Sequence, residues 1–147
     1  MGAQANKLYE VSANTKQEVE DFILFWMDEI SHNDPERPTA LYAEDGMLWP
    51  TFSETLRTTR EGILDYFKFF TALPNLKAEL NQLEIRKVVE SYCTSGVYTF
   101  THNDSKGELR TIPARFTITL RPNPKAPHGW EILNHHSSTI PGPPPPL

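Results

Sequence analysis

Arg115 stands in Ala114-Arg115-Phe116-Thr117-Ile118-Thr119-Leu120-Arg121, where apolar residues alternate with Arg and Thr. A guanidinium on the polar side of such a strand can grip a carboxylate with both prongs, because its planar fork matches the carboxylate's two oxygens. The same pattern fits an arginine that faces solvent or pairs with an internal acid. His135 and His136 are adjacent, and neighbours in an extended strand point to opposite faces, so the two cannot share one metal. His102 or His128 would complete a site only if the fold gathered them, and the chain has no H-x-x-x-H, no H-E-x-x-H and no cysteine pair. The sequence calls for neither metal nor cofactor. His136 reads as a buried, hydrogen-bonded strand residue, and His135 as facing whatever cavity the sheet encloses. An enzyme would need an acid or base beside an apolar pocket, its pKa moved by burial or a neighbour. Asp45, Asp65 and His135 are the candidates. Asp45 reads equally well as a turn residue before Gly46, and Asp65 as an outward charge on a helix. Their spacing demands no catalysis.

Hydrophobic periodicity says what must hold these residues. Val19, Phe22, Ile23, Trp26 and Ile30 recur at three- and four-residue spacing and predict a helix. Thr15 opens it through a capping box with Glu18. Phe25 and Met27 fall off that stripe, so either another element of the chain or another subunit covers them. Asp34-Pro35 predicts a short second helix, with Asp34 as N-cap, running through Leu41 and Tyr42. Glu44-Asp45-Gly46 predicts a turn into a strand at Met47-Leu48-Trp49. Thr58 and Glu61 form a second capping box, flanked by Arg57 and Arg60. Ile63, Leu64, Phe67 and Phe70 are the buried stripe of a third helix, closed by Pro74.

Beyond Pro74 the period becomes two. Strands are expected over 76–89, from Ser91 through Gly96-Val97-Tyr98-Thr99-Phe100-Thr101, over 114–121, and over 130–138. Turn residues at 103–107 predict a hairpin, and 122–129 a proline-containing loop. Helices gathered at one end of a chain and hairpin-linked strands at the other predict an α+β cone. Its curved antiparallel sheet wraps around the long N-terminal helix, over a core of Phe22, Trp26, Phe67, Phe100, Phe116 and Trp130.

The chain carries 19 acidic against 14 Lys and Arg residues, a net charge of -5. No Lys and Arg cluster forms a phosphate-neutralising face, which argues against nucleic acid and anionic membrane as partners. The longest apolar stretch, 22–27, is too short to span a bilayer. Residues 1–14 lack the apolar core of a signal peptide, and the lone Cys93 fits a reducing compartment. A cytoplasmic protein is expected. The tail, Pro141-Gly142-Pro143-Pro144-Pro145-Pro146-Leu147, cannot join a sheet because proline offers no amide donor. It reads either as a disordered end or as a polyproline II segment that docks into an aromatic groove.

This pattern resembles the nuclear-transport-factor-2-like (NTF2-like) superfamily of cones with a pocket between helix and sheet. Within it, Leu41-Tyr42-Ala43-Glu44-Asp45-Gly46, Trp49-Pro50-Thr51, Gly96-Val97-Tyr98-Thr99-Phe100, Ala114-Arg115-Phe116-Thr117, Trp130-Glu131-Ile132 and His135-His136-Ser137-Ser138 with Pro141 are similar to one branch. That branch is the association (hub) domain family of calcium/calmodulin-dependent protein kinase II. The resemblance runs in order from about Glu18 to Pro141. It implies a flexible segment at 1–14, a hub domain at 15–141, and a proline-rich tail at 142–147. It further implies dimers assembled into two stacked rings, with the chain itself, a kinase or another hub-bearing chain as partner. There is no Gly-rich phosphate loop or catalytic-loop signature, so the chain carries no kinase of its own.

The resemblance also implies that Arg115 points into the pocket, where it would bind a small carboxylate. Tyr98 and Ser137 stand where the animal hubs carry two further pocket arginines, a departure that weakens the anion site. Arg57 would lie near the pocket mouth or between subunits, or else be an ordinary loop charge. Arg115, Tyr98, His135, Arg57 and Asp65 are the candidate pocket residues. The alternative reading is a small-molecule-binding protein or an enzyme of the isomerase or cyclase type using the same pocket.

Overall fold

The computed structural model describes residues 10–146, so most of the expected 1–14 segment, and Leu147 of the tail, lie outside the described residues. Helix α1 spans Ala13–Glu29 and opens two residues earlier than expected. Ser12 is its N-cap, its hydroxyl accepting from the Thr15 amide at 3.2 Å. The same kind of shift recurs at α3, Arg60–Phe70, where Thr59 rather than Thr58 caps, accepting from the Gly62 amide at 3.0 Å. Neighbouring Ser and Thr residues are nearly equivalent caps. The packing of each apolar stripe, not the hydroxyl, chooses between them.

Helix α2 is a single turn, Glu36–Thr39, with the Asp34 carboxylate accepting from the Glu36 amide at 3.0 Å. It stops before Leu41 and Tyr42, which were expected inside it; Tyr42 instead begins strand β1, Tyr42–Trp49. Arg60 reaches back and donates to the carbonyls of Thr39 at 3.2 Å and Tyr42 at 3.0 Å. Those are carbonyls that a stopped helix and a starting strand leave without a local partner.

Among the described residues the sheet has five strands in the order β1-β5-β4-β3-β2. The remaining four are β2 Lys77–Val88, β3 Ser91–Asn103, β4 Leu109–Pro122 and β5 Trp130–Thr139. β2 to β5 pair antiparallel as consecutive hairpins, whereas β1 joins β5 parallel. The sheet is therefore mixed at that edge, not antiparallel throughout.

Three irregularities shape it. In β1 the register jumps between Tyr42 and Met47, so the expected Glu44-Asp45-Gly46 turn is a bulge within a strand. In β2 the register shifts between Leu80 and Gln82. In β5, Leu120 of β4 faces Ile132 while Thr119 faces Asn134, which leaves Leu133 as an extra residue. One extra residue exchanges the faces of everything after it.

All six expected core aromatics are buried. Met27 is buried too, and Phe25 packs its ring on His128 with centroids 3.9 Å apart. The chain itself thus covers Met27, whereas Phe25 stays only partly buried against His128. Opposite the β2 bulge, a side chain at Gly96 would collide with the Gln82 carbonyl and come within 2.8 Å of the Phe116 ring. Gly96→Ala should therefore lower unfolding free energy by about 2 kcal/mol or more, as overpacking against backbone does. Urea denaturation with an unchanged m-value would show it, and a change within error would mean the bulge yields freely.

Candidate functional site

The interior of the cone is organised around Tyr98, which is fully buried. Trp26 from α1 stacks on it with ring centroids 5.9 Å apart, and Phe116 from β4 at 4.4 Å. Its position follows from β3 alternation, which sends Thr94, Tyr98 and Phe100 inward. His135 and Ser137 come inward from β5 because the extra residue at Leu133 exchanges faces. The expectation for His136 is corrected by the same bulge. Counting by twos from Trp130 puts His136 inside, but it is exposed, its ring 6.2 Å from Trp49.

Hydrogen bonds join these groups into a line. Tyr42 Oη lies 2.7 Å from His135 Nδ1, and Tyr98 Oη lies 3.1 Å from His135 Nε2. Tyr98 donates to Ser137 Oγ at 2.6 Å, and Ser137 Oγ lies 2.5 Å from Thr51 Oγ1. A phenol has one proton. Since Tyr98 gives its proton to Ser137, it must accept from His135, which places the imidazole proton on Nε2. Nδ1 is then bare and accepts from Tyr42. Only this tautomer satisfies every member.

Burial, with a smaller contribution from His136, pushes the His135 pKa down to about 3. Burial likewise raises the phenols of Tyr42, Tyr66 and Tyr98 above their ordinary range. At neutral pH the interior therefore holds dipoles and no net charge. The cavity they line, between Trp26, Thr51, Tyr66, Tyr98, His135 and Ser137, measures about 10 Å³. That is at the lower limit for one water. The arrangement can donate and accept hydrogen bonds, but it offers no ionised acid or base.

The other predicted residues lie elsewhere. Arg115 is on the outer face of β4, where Nε donates to Ser138 Oγ at 3.2 Å beside a surface hollow of about 550 Å³ shared with Thr117 and His136. Ala114, Phe116, Ile118 and Leu120 take the inner face, so strand parity excludes Arg115 from the interior and corrects the pocket assignment. Arg57 and Asp65 are brought together, with Nη1 of Arg57 3.0 Å from Asp65 Oδ2. Arg57 also donates to the Gly62 carbonyl at 3.1 Å and Ser53 Oγ at 3.0 Å, and stands 6.0 Å from the Tyr66 ring centre. It fastens the loop after β1 to the start of α3. Asp65 points outward, and Asp45 is exposed in the β1 bulge.

Sequence reasoning missed Tyr42, Thr51 and Tyr66 as members of the interior. Tyr42 was hidden by the overlong α2. Thr51 follows Pro50 in a loop without period. Tyr66 could have been found, lying three residues after Ile63 on the α3 stripe.

The histidine gives a pH prediction. An unfolded His135 takes a proton near 6.5, whereas the folded one resists until about 3. Its contribution is therefore whole above pH 6.5 and is lost as pH falls toward 3. By pH 5 the loss should be about 2 kcal/mol. Urea titrations at pH 7 and pH 5 should show that difference, and His135→Gln should abolish it even if the variant is less stable at both. An equal pH response in the variant would assign the effect to other groups.

The sequence model of the calcium/calmodulin dependent protein kinase II association domain matches residues 15–141. A solved protein from Xanthomonas campestris, named as a candidate member of that association domain, shares 32% identity over 90% of each chain, with a TM-score of 0.76. An NTF2-like superfamily protein from Salmonella enterica superposes at 0.76 with 15% identity, covering 90% of this chain and 95% of that one. A candidate dehydratase of the NTF2-like family from Streptomyces avermitilis superposes at 0.74 with 14% identity, over 89% and 100%. These last two show the fold alone. A search of the curated proteins gives no match. The chain belongs to the calcium/calmodulin-dependent protein kinase II association domain family, built on the NTF2-like cone.

Proposed function

We propose that this chain is a self-assembling hub, forming a ring-shaped homo-oligomer of stacked dimers in the cytoplasm, with no kinase activity of its own. The observation that carries the reading is the filled cone. Aromatic rings and a satisfied hydrogen-bond line occupy the space in which a pocket enzyme would hold its substrate, leaving about 10 Å³. Two buried polar atoms of residues lining it, Trp26 Nε1 and Tyr66 Oη, have no partner, but the space left is that of a water and not of a substrate, so the surfaces remain to act. Those surfaces include Met47, Trp49, Phe69 and Leu109, all large, apolar and exposed. A closed ring needs repeated heterologous contacts, and a second layer needs a two-fold contact. Membership of an association-domain family supports self-association in general.

A second reading keeps the cone as a binding or catalytic pocket of the isomerase or cyclase type. What favours it is His135, held between two phenols in a line that reaches Thr51, itself only partly buried. For this to work, the Tyr66 or Phe70 ring must swing aside to open the cavity. Soaking with small carboxylates and apolar ketones discriminates. Turnover that disappears in His135→Gln would replace the hub reading with this one.

Native mass spectrometry at micromolar concentration should find a species larger than a dimer. A monomer or a lone dimer there would end the ring reading. Removing residues 143–147 should leave the mass per ring unchanged apart from the deleted residues, because the tail leaves the sheet after Thr139 and is exposed through Pro146. A changed subunit number in the truncated chain would make the tail part of the assembly.

A further inference from the structure

The β2–β3 hairpin ends in a two-residue turn, Val89-Glu90, closed by the Val88–Ser91 pair. Val89 has φ +57°, and Glu90 is not in the positive region. Hairpins of this kind place glycine first, because an L side chain there crowds its own backbone. Asn33 and Asn75, the other non-glycine residues at positive φ among the described residues, are of a type that tolerates it. A β-branched side chain does not. Val89 is also 84% exposed, and Val88 beside it 51%. The tip thus combines backbone strain with solvent-facing apolar surface, two costs that the isolated chain does nothing to offset.

Beside the tip lies a groove of about 590 Å³, walled by Phe25, Tyr92, Pro122 and His128 and edged by Glu18 and Asp21. Tyr92 follows Val89 by three residues, so tip and groove are no more than about 11 Å apart along the chain. Among the described residues the two carboxylates are held by the amides of Asn14 and Gln17 rather than by cations. Lys87, next to the tip, is exposed. A projecting knob and an apolar socket, side by side on one end of the molecule, are what a two-fold axis needs. It seats each copy's knob in the other copy's socket.

We infer that the β2–β3 tip is an interface element for a second copy of this chain. Val88 and Val89 of one protomer enter the Phe25–Tyr92–His128 groove of the other, and Lys87 meets Glu18 and Asp21 across the contact. The inference rests on the self-association reading and gives it a two-fold surface.

Val89→Asn separates the knob from the turn, since asparagine accepts positive φ but offers no apolar surface. Its thermal midpoint, measured where both proteins are dissociated, should equal or exceed that of the unaltered chain. Its self-association, followed by sedimentation equilibrium, should weaken about tenfold or more, as withdrawal of a buried aliphatic side chain does. Lys87→Glu should weaken it too, and adding Asp21→Lys in the same chain should restore it. If Val89→Asn associates as well as the unaltered chain, or the charge exchange restores nothing, the tip is not the contact and the hub reading stands on other surfaces. If the unaltered chain never associates, both ideas fall.

Discussion

His135 between the phenols of Tyr42 and Tyr98 is the contact on which the remaining interior depends. A neutral imidazole and two phenols removed from water cost several kcal/mol unless each donor and acceptor is matched. Here each is matched by a residue distant in sequence, on β1, β3 and β5. Those strands are therefore held to one register, because a slip of β5 by one residue would turn His135 outward and leave the buried phenols of Tyr42 and Tyr98 without it. The aromatic packing of Trp26 and Phe116 on Tyr98 follows from this register. So does the loop after β1, which Thr51 joins to Ser137 and Arg57 joins to α3.

Much of this architecture was legible in the chain. The stripe of Val19, Phe22, Ile23 and Trp26 located α1, and the alternation at 114–121 located β4 and its inner face. What stayed hidden were departures from strict period. Nothing in Trp130-Glu131-Ile132-Leu133-Asn134 announces an extra residue, since Leu133 is as good a strand former as its neighbours. Yet that residue decides whether His135 or His136 is buried. The β1 bulge did leave a mark, Glu44-Asp45-Gly46, but turn chemistry does not distinguish a turn between elements from a bulge inside one. At Gly46 an added side chain would press on the carbonyls of Ile132 and Ala43, at 2.9 and 3.0 Å, a constraint set jointly by the β5 partner and by the fold of the bulge itself.

Arg115 shows the limit of inference by resemblance. Similarity to the hub family suggested a guanidinium in the pocket, while the chain's own alternation already set Arg115 opposite Phe116 and Ile118. Parity is a geometric rule that this strand obeys without a bulge, and parity prevailed. The lining of the central cavity is consequently without fixed charge, a poor place for an anion. In such a site a carboxylate would lose its hydration and gain no cation.

A filled cone suits the proposed hub for a further reason. The size of a ring is set by the angle between neighbours, and a few degrees change the number of subunits. A protomer that breathed around a solvent-filled pocket would spread that angle. One whose strands are tied by the Tyr42–His135–Tyr98–Ser137 line, with aromatic rings packed on both sides, holds its outer surfaces in fixed relation. Close-packed interiors transmit strain rather than absorb it. On the reading proposed above, the same packing that leaves so little room inside gives the surfaces the rigidity that repeated assembly would require. The exposed, strained Val89 sits at the end of two well-paired strands, where a stiff hairpin would present it to the second copy proposed above instead of letting it fold back onto its own chain.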